Sequence, residues 1–424
     1  MRRTATGLLS YENRLLLVLG LSFGIAFFDR TAGSVLVPSI EHDIPLSNFE
    51  AGFLGSGLSI TWALGAYFIG RWSDAKGVRK PFLLSFLVIF SASSFLSGLA
   101  DSYPVLLLSR MIMGAVEGPF LPVCLAIMAV ESSEHRRGVN AGLMQNFFAS
   151  IIGQSLPAAL LVPLAGKLGW RSAFYVAGIP GLVCALAVLL WVREPARTAA
   201  SEPAALAAPA GTQMGLFEML GVRNIFLCCA ISVFMVSWLI MGWNFLPKFF
   251  VDYRHFTNEQ MGHLMTVLGI GSAISSFTVP LISDRVGRKP AMIFFSLLGV
   301  LTPLGALYWN GPLWVLGGLM FLGWLGCGTF PLFMGVVPGE TISRRHAATA
   351  MGLIVCVGEV IGGFGINSLG GTLADRWSLA TPIWFQVVCA IVGGLLCVLL
   401  IETAPVKRRA TAAGALAAAG ARDQ

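Results

Sequence analysis

Charge is scarce in this sequence: only 12% of its 424 residues are Asp, Glu, Lys or Arg, while 56% are hydrophobic. Soluble domains carry about 25% charged residues, so the composition excludes an ordinary soluble protein. The apolar residues recur in blocks, and residues 81–100 contain no charge at all. Since about 20 apolar residues span the hydrocarbon core of a bilayer, the sequence predicts an all-α membrane protein with many transmembrane helices.

The sequence also lacks the residue patterns that carry enzymatic chemistry. It shows no nucleophile–base pair, phosphate-binding glycine loop or metal-ligand spacing, so we expect no enzyme activity, no metal and no organic cofactor. The eight cysteines all fall within predicted helices, which is typical of apolar packing residues rather than of disulfides or zinc ligands. No Asn-x-Ser/Thr glycosylation acceptor is present, which is consistent with a bacterial inner membrane.

Twelve apolar segments divide the chain. We place helices at about 14–39, 49–70, 81–100, 104–130, 139–163, 172–192, 225–250, 261–282, 290–309, 312–337, 348–371 and 380–401. With both termini inside, the inner loops and tails hold 21 of the 28 Lys and Arg residues, and the outer loops hold five. Because cytoplasmic loops are enriched in positive charge, we expect both termini in the cytoplasm. This distribution also argues against nucleic acid as a partner.

The twelve helices are expected to form two six-helix bundles, residues 1–192 and 225–405. The connecting residues 193–224 are rich in Ala and Pro and lack helical amphipathicity, so they predict a cytoplasmic linker. Residues 406–424 predict a cytoplasmic tail.

The two halves repeat one another. The segment GRWSDAKGVRK, residues 70–80, lies between predicted helices 2 and 3, and SDRVGRK, residues 283–289, lies between helices 8 and 9. An acidic residue followed by an Arg-Arg pair comes after helix 4, at 131–137, and again after helix 10, at 340–345. Two matches in the same order, about 210 positions apart, indicate parallel six-helix repeats.

Four ionisable residues interrupt apolar helices: Asp29 and Arg30 on helix 1, and Arg110 and Glu117 on helix 4. A charge at bilayer depth costs about 2.5–3.5 kcal/mol on insertion scales, so we expect the four to face one another across a watery cavity. No charge stands at the corresponding positions of the second half. Two acids and two bases suggest that an anion and a proton move together. The alternative is a static ion-pair network that fixes packing.

Helical spacing constrains this group of charges. Arg110 and Glu117 are seven residues apart and share one face of helix 4. Asp29 and Arg30 point about 100° apart, so one can face the cavity while the other faces helix 4. Glycine and proline at positions 114, 118, 119 and 122 predict a kinked or closely packed helix 4.

The loop motif Gly-x-x-x-Asp-x-x-Gly-x-Arg-Lys, its copy between helices 8 and 9, and the acidic-to-Arg-Arg stretch resemble the major facilitator superfamily. The resemblance covers residues 10–405 and implies the major facilitator fold, in which two pseudo-symmetric bundles alternate access to a central site. It also implies a cytoplasmic latch that breaks as the halves rock. The residues that match such a latch are Asp74, Arg79, Arg137, Asp284 and Arg288. The alternative is that these loops only set topology and packing.

The charged pair on helix 1 and the segment from Arg110 to Glu117 resemble, more narrowly, the anion:cation symporter family, which takes up carboxylates with protons. The segment 243–247 on helix 7 resembles that family as well. By matching positions, the resemblance implies that Arg30 binds the substrate carboxylate. It implies that Asp29 and Glu117 titrate, with the proton as coupling ion. Spinster-like transporters share part of the pattern, so lysolipid or another amphipathic anion is the alternative substrate.

Other polar and aromatic side chains in the apolar helices are candidates for the cavity wall. The predicted substrate contacts are Arg30, Arg110, Tyr67, Gln145, Trp243, Asn244, Glu359 and Asn367. For the amides, the alternative is a hydrogen bond between helices, and for the aromatic residues it is packing or contact with lipid. A lone carboxylate on helix 11, Glu359, should face the cavity or carry a proton.

The sequence thus predicts a proton-coupled importer of an organic anion, such as an aromatic or sugar carboxylate. We expect it to work as a monomer in the lipid bilayer. The alternative class is a membrane sensor on the same fold, which no appended signalling domain supports.

Overall fold

The structure, a computed structural model, describes residues 10–76, 78–133, 136, 140, 142–194 and 216–404, except for some side chains within these ranges. Nearly all of the described backbone is helical. Eleven described helices are long and apolar enough to cross a membrane. A further helix of 29 residues, Asn48–Lys76, completes the pattern of twelve. The predicted class, an all-α membrane protein of two six-helix bundles, is therefore confirmed.

We number the twelve spans α1 to α12. The first bundle contains α1 (Tyr11–Val35), α2 (Asn48–Lys76), α3 (Lys80–Gly98), α4 (Tyr103–Glu117 and Phe120–Glu131), α5 (Leu143–Ser155 and Leu156–Leu168) and α6 (Trp170–Trp191). The second contains α7 (Arg223–Lys248 and Phe249–Tyr253), α8 (Asn258–Val286), α9 (Arg288–Leu298 and Leu301–Tyr308), α10 (Leu313–Trp324, Leu325–Thr329, Leu332–Val336 and Val337–Thr341), α11 (Arg344–Val357, Gly358–Ile366 and Asn367–Arg376) and α12 (Ala380–Val398).

Several helices are longer than their apolar segments. The segment predicted at 49–70 extends to Asn48–Lys76, and the one at 261–282 extends to Asn258–Val286. Their polar ends lie beyond the apolar stretch, which hydropathy alone cannot assign to the helix. The predicted linker contains a short helix, Leu216–Gly221, while its residues 195–215 and the tail lie outside the described part of the chain.

The fourth span is interrupted, as its glycines and prolines predict. Its two segments are separated by Gly118 and Pro119. A Cβ at Gly118 would lie 2.0 Å from the backbone oxygen of Trp62, and one at Gly114 would lie 2.3 Å from that of Leu58. Only glycine at these positions allows α2 and α4 to approach so closely.

Successive spans run in opposite directions, so the loops fall on two faces. At the basic face lie the first and last described residues, 10 and 404, and the helix ends that border the loops before α3, α5, α7, α9 and α11. We call the opposite face the hairpin face. At the hairpin face the bundles are joined by polar contacts. Lys248 pairs with Glu41, and Asp375 accepts from the backbone N–H groups of Asn48 and Phe49 at 2.7 and 2.8 Å.

At the basic face, a carboxylate that follows the last helix of each bundle binds the start of the third helix, α3 or α9. Glu194, after α6, accepts from the backbone N–H groups of Arg79 and Lys80 at 2.6 and 2.8 Å. Glu402, after α12, accepts from those of residues 288–289 at 2.9 and 3.1 Å. A carboxylate satisfies the unpaired N–H groups at a helix start and favours its dipole. This carboxylate clasp, made by Glu194 or Glu402, is a second element of the repeat.

Candidate functional site

A cavity of about 650 Å³ lies between the two bundles. Its wall includes residues from α1, α2, α4 and α5 in the first bundle, and from α7, α8, α10 and α11 in the second. It extends to Leu121, Met334 and Met351, which lie in the parts of α4, α10 and α11 near the basic face. The contacts of Glu41 and Asp375 join the bundles at the hairpin face, whereas the cavity wall extends toward the basic face.

Arg30 presents a cation to this cavity. Its guanidinium carbon lies 5.5 Å from the centroid of the Phe27 ring, and both side chains line the wall. Within the described part of the chain, the Arg30 side chain forms no ion pair or hydrogen bond. Its planar set of N–H donors is therefore available to a carboxylate.

Asp29 points away from the cavity and is fully buried beside Arg110. The Arg110 guanidinium donates to the backbone oxygen of Asp29 at 3.0 Å, and its second terminal nitrogen lies 4.0 Å from the Asp29 carboxylate. Its carbon lies 4.8 Å from the Phe174 ring centroid. A Cβ at Gly33 would lie 2.9 Å from this guanidinium, so glycine makes room for it. Arg30 and Asp29 thus face different neighbours, as their spacing predicts.

Glu117 is buried at the end of the first segment of α4, with 3% of its surface exposed. Neither of its carboxylate oxygens has a hydrogen-bond partner among the described residues, and the same holds for Asp29. The charges that act on Glu117 are those of Arg30, Asp29 and Arg110. The expectation that all four charges line the cavity is wrong for the two acids. The helix period turns Asp29 about 100° from Arg30, and only Arg30 and Arg110 of the four reach the wall.

The second bundle contributes three predicted residues to the wall: Trp243, Asn244 and Glu359. Trp243 packs edge-on against Trp324, with ring centroids 5.8 Å apart. Asn244 accepts a hydrogen bond from the Ser34 hydroxyl at 3.1 Å, which joins the two bundles. One carboxylate oxygen of Glu359 is buried without a hydrogen-bond partner in the described structure.

Asn367, predicted as a substrate contact, does not line the cavity. It is fully buried, and its amide donates to the backbone oxygen of Gly52 at 3.1 Å and to the Ser56 hydroxyl at 2.7 Å. Its amide joins α11 to α2, which approach closely at Gly371, where a Cβ would lie 3.0 Å from the backbone oxygen of Asn48. The side chains of Tyr67 and Gln145 lie outside the described part of the structure.

The sequence analysis missed Trp62, Gln154 and Phe330, which also line the cavity. Gln154 is a polar residue in the otherwise apolar α5, and its side-chain oxygen is buried without a partner in the described residues. The polarity of Gln154 in an apolar helix could have identified it as a candidate from the sequence. An aromatic side chain in a membrane helix gives no comparable indication, because packing and lipid-facing positions favour the same residues.

The predicted latch residues of the second half lie together, but within one bundle. Arg288 pairs with Asp284 and, at 2.9 Å, with Glu340. These contacts tie α8, α9 and α10 to one another, so this cluster does not join the two halves. In the first half, the Arg79 guanidinium lies 3.5 Å from the Ser73 hydroxyl. The Asp74 side chain and Arg137 lie outside the described residues.

Comparison with known proteins agrees with this architecture. The family model described as Major Facilitator Superfamily matches residues 19–365 and 226–422. A probable 4-methylmuconolactone transporter of Cupriavidus pinatubonensis is 27% identical over 353 residues, which cover 81% of this chain and 79% of that protein. A 3-(3-hydroxy-phenyl)propionate transporter of Escherichia coli is 26% identical over 357 residues, covering 83% and 85%.

Among solved structures, a bacterial homolog to the human lysosomal transporter Spinster, in an inward-facing and unoccupied conformation, superposes with a TM-score of 0.69. It is 19% identical, with 92% of this chain and 97% of that chain covered, and so shows a shared fold. The matched family, the transporter relatives and the cavity between two helical bundles lead to one conclusion. The chain belongs to the Major Facilitator Superfamily and is a multi-pass membrane transport protein rather than an enzyme.

Proposed function

We propose that this protein imports an organic carboxylate together with a proton, by alternating access, across a bacterial inner membrane with both termini in the cytoplasm. The observation that carries the proposal is the Arg30 guanidinium, which lines the cavity without an ion pair among the described residues. An arginine without an ion-pair partner attracts an anion, and a guanidinium matches the two oxygens of a carboxylate.

Proton coupling is supported by the two buried acids. Asp29 and Glu117 lack hydrogen-bond partners in the described structure, and the charge of Arg30 acts on Glu117. A carboxylate bound at Arg30 neutralises that charge, and the buried group then favours uptake of a proton. Because coupling between two sites is reciprocal, protonation of Glu117 in turn favours binding of the anion. This linkage is the basis of symport.

The aromatic residues of the cavity wall support a cyclic or aromatic carboxylate as the substrate. Phe27, Trp62, Trp243 and Phe330 line the cavity, and aromatic side chains stack well against planar rings. The two curated relatives are named as transporters of a methylmuconolactone and of a hydroxyphenylpropionate. The distribution of Lys and Arg supports the proposed orientation, with the basic face in the cytoplasm.

Binding to an Arg30→Lys variant tests the proposal. Purified protein is titrated with phenylpropionate and hydroxyphenylpropionate, and binding is followed by the rise in apparent melting temperature. Loss of the bidentate contact should weaken binding about 10-fold or more. Arg376→Lys is the matched control, because Arg376 is exposed at the hairpin face. Wild-type affinity in Arg30→Lys would contradict the proposal, and stabilisation by lysolipid alone would favour a Spinster-like lipid transporter.

A further inference from the structure

The two walls of the cavity carry opposite charge. Arg30 and Arg110 belong to the first bundle, and Glu359 belongs to the second. Arg30 and Glu359 do not form an ion pair in the described structure, although the charge of Arg30 acts on Glu359. Both groups line the same cavity without an ion pair between them, so a ligand can lie between the two.

The sequence around Glu359 holds its carboxylate in place. Glu359 lies in the segment Gly358–Ile366, a wider helical turn of the π type within α11, and such turns are frequent at functional sites. A Cβ at Gly358 would lie 2.1 Å from the Ser232 hydroxyl, and one at Gly362 would lie 2.4 Å from the backbone oxygen of Val233. The absence of side chains at Gly358 and Gly362 allows α11 to pack closely against α7. The adjacent Glu359 side chain lines the cavity.

A simple monocarboxylate would fit this arrangement poorly. It could pair with Arg30, but it would offer no donor to Glu359, one of whose carboxylate oxygens lacks a hydrogen-bond partner in the described structure, and it would face that group with like charge. Burying an unpaired polar group is costly, and a site built to hydrogen-bond a ligand group rejects an analogue that lacks it. A ligand with a hydrogen-bond donor at its far end satisfies both walls.

We infer that Glu359 determines specificity, and that the transported carboxylates carry a hydrogen-bond donor, a hydroxyl or an ammonium group, at the end away from Arg30. The inference rests on the proposed function, since it takes Arg30 as the carboxylate anchor. Such a ligand bridges the two bundles, whereas a simple acid contacts mainly the first.

Matched ligands test this inference on the purified protein. The aromatic pair is phenylpropionate and hydroxyphenylpropionate, and the aliphatic series is hexanoate with its terminal hydroxy and terminal amino derivatives. Dissociation constants come from quenching of tryptophan fluorescence, because Trp62 and Trp243 line the cavity. In at least one series, a donor-bearing acid should bind about 10- to 100-fold more tightly than its parent.

Two variants separate the role of the acceptor from that of the charge. Glu359→Leu keeps the approximate volume without an acceptor, so the affinity ratio between donor-bearing and parent acid should fall to about one. Glu359→Gln keeps a neutral acceptor, so it should retain part of the preference for a hydroxyl and lose the preference for an ammonium group. Glu259→Gln, which alters an exposed carboxylate, should leave both ratios unchanged.

The outcomes also separate this inference from the proposed function. If parent and donor-bearing acids bind equally to the wild type, and binding still requires Arg30, the inference about Glu359 fails alone. An unchanged ratio in both Glu359 variants has the same meaning. If no acid of either series binds, or if Arg30→Lys binds them normally, the proposed function fails and this inference fails with it.

Discussion

Neighbouring residues on α1 have opposite surroundings. Arg30 lines the cavity, while the carboxylate of Asp29 is buried 4.0 Å from the Arg110 guanidinium. A rotation of about 100° along the helix separates the two. Two consecutive residues of one helix therefore place a cation at the cavity and an acid in the interior of the bundle.

Glu117→Gln should uncouple transport from the proton gradient. Glutamine resembles the protonated carboxyl group in shape, so the variant should still bind substrate and exchange it across the membrane. It cannot release a proton, so it should no longer accumulate substrate against a gradient. Uptake and exchange are measured in proteoliposomes with an imposed pH difference.

The exposed Glu259 provides the control for this experiment, because Glu259→Gln removes a carboxylate of the same kind outside the cavity. It should leave accumulation unchanged. Proton-driven accumulation at the wild-type level in Glu117→Gln would show that the proton is carried elsewhere.

For charged residues the sequence offers a physical criterion that it lacks for polar ones. The cost of a charge in the membrane identifies Arg30, Arg110 and Glu359, which line the cavity, but it also selects Glu117, which does not. An amide costs less than a charge, and it can bind either a substrate or another helix, so its presence alone does not indicate which. Asn367 donates to the backbone oxygen of Gly52 in α2, and that contact depends on the packing of segments distant in the sequence.

At the level of the helix, the close contact of α2 and α4 leads to a testable prediction. A Cβ at Gly118 would lie 2.0 Å from the backbone oxygen of Trp62, which cannot move aside as a side chain could. Gly118→Ala should therefore displace α4 and destabilise the protein by about 1–3 kcal/mol, with a lower apparent melting temperature in detergent and slower uptake.

Gly352→Ala is the matched control, because Gly352 is a helical glycine of α11 with nothing within 4 Å of an added Cβ. That change should leave stability equal or slightly improved, since alanine favours a helix over glycine. Equal melting temperatures for the Gly118 and Gly352 variants would show that α2 and α4 are not held together at this point.

Hydropathy was enough to predict twelve spans and their order, because each span must bury its backbone polar groups in a helix. It could not predict where helices end outside the apolar core, and α2 and α8 are longer than their apolar segments. The clasp residue Glu194 was also missed, because a single acidic residue after a helix carries no local signal of the distant N–H groups that it binds.

At the level of the whole molecule, the bundles meet at the hairpin face through a buried ion pair. Lys248 contacts Glu41 of the first bundle and lies 3.7 Å from Asp252 of its own. Burial raises the pKa of Glu41 to about 7, in spite of the nearby Lys248 ammonium, which lowers it. Opening of this face would hydrate Glu41 and return its pKa toward the ordinary value of 4.5.

Acidic conditions should therefore favour closure of the hairpin face. The closed form binds a proton on Glu41 more tightly than the open form, so closure is stabilised as pH falls from about 7 toward 4.5. The distance between spin labels at the exposed residues Leu99 and Trp314 can be measured by electron paramagnetic resonance. The population with the shorter distance should increase at the lower pH.

Glu41→Gln should abolish this pH dependence, while Glu259→Gln should preserve it. A distance distribution that is independent of pH in the wild type would exclude Glu41 as a pH-sensitive contact.

The carboxylate clasp has a consequence for how such a protein can diversify. Glu194 and Glu402 hold the same two helix ends together in each half, whereas the cavity charges differ between the halves. The clasp residues thus lie apart from the residues that line the cavity. Substitutions along the cavity wall can change the substrate specificity without altering the clasp, so one scaffold can evolve to transport many different substrates.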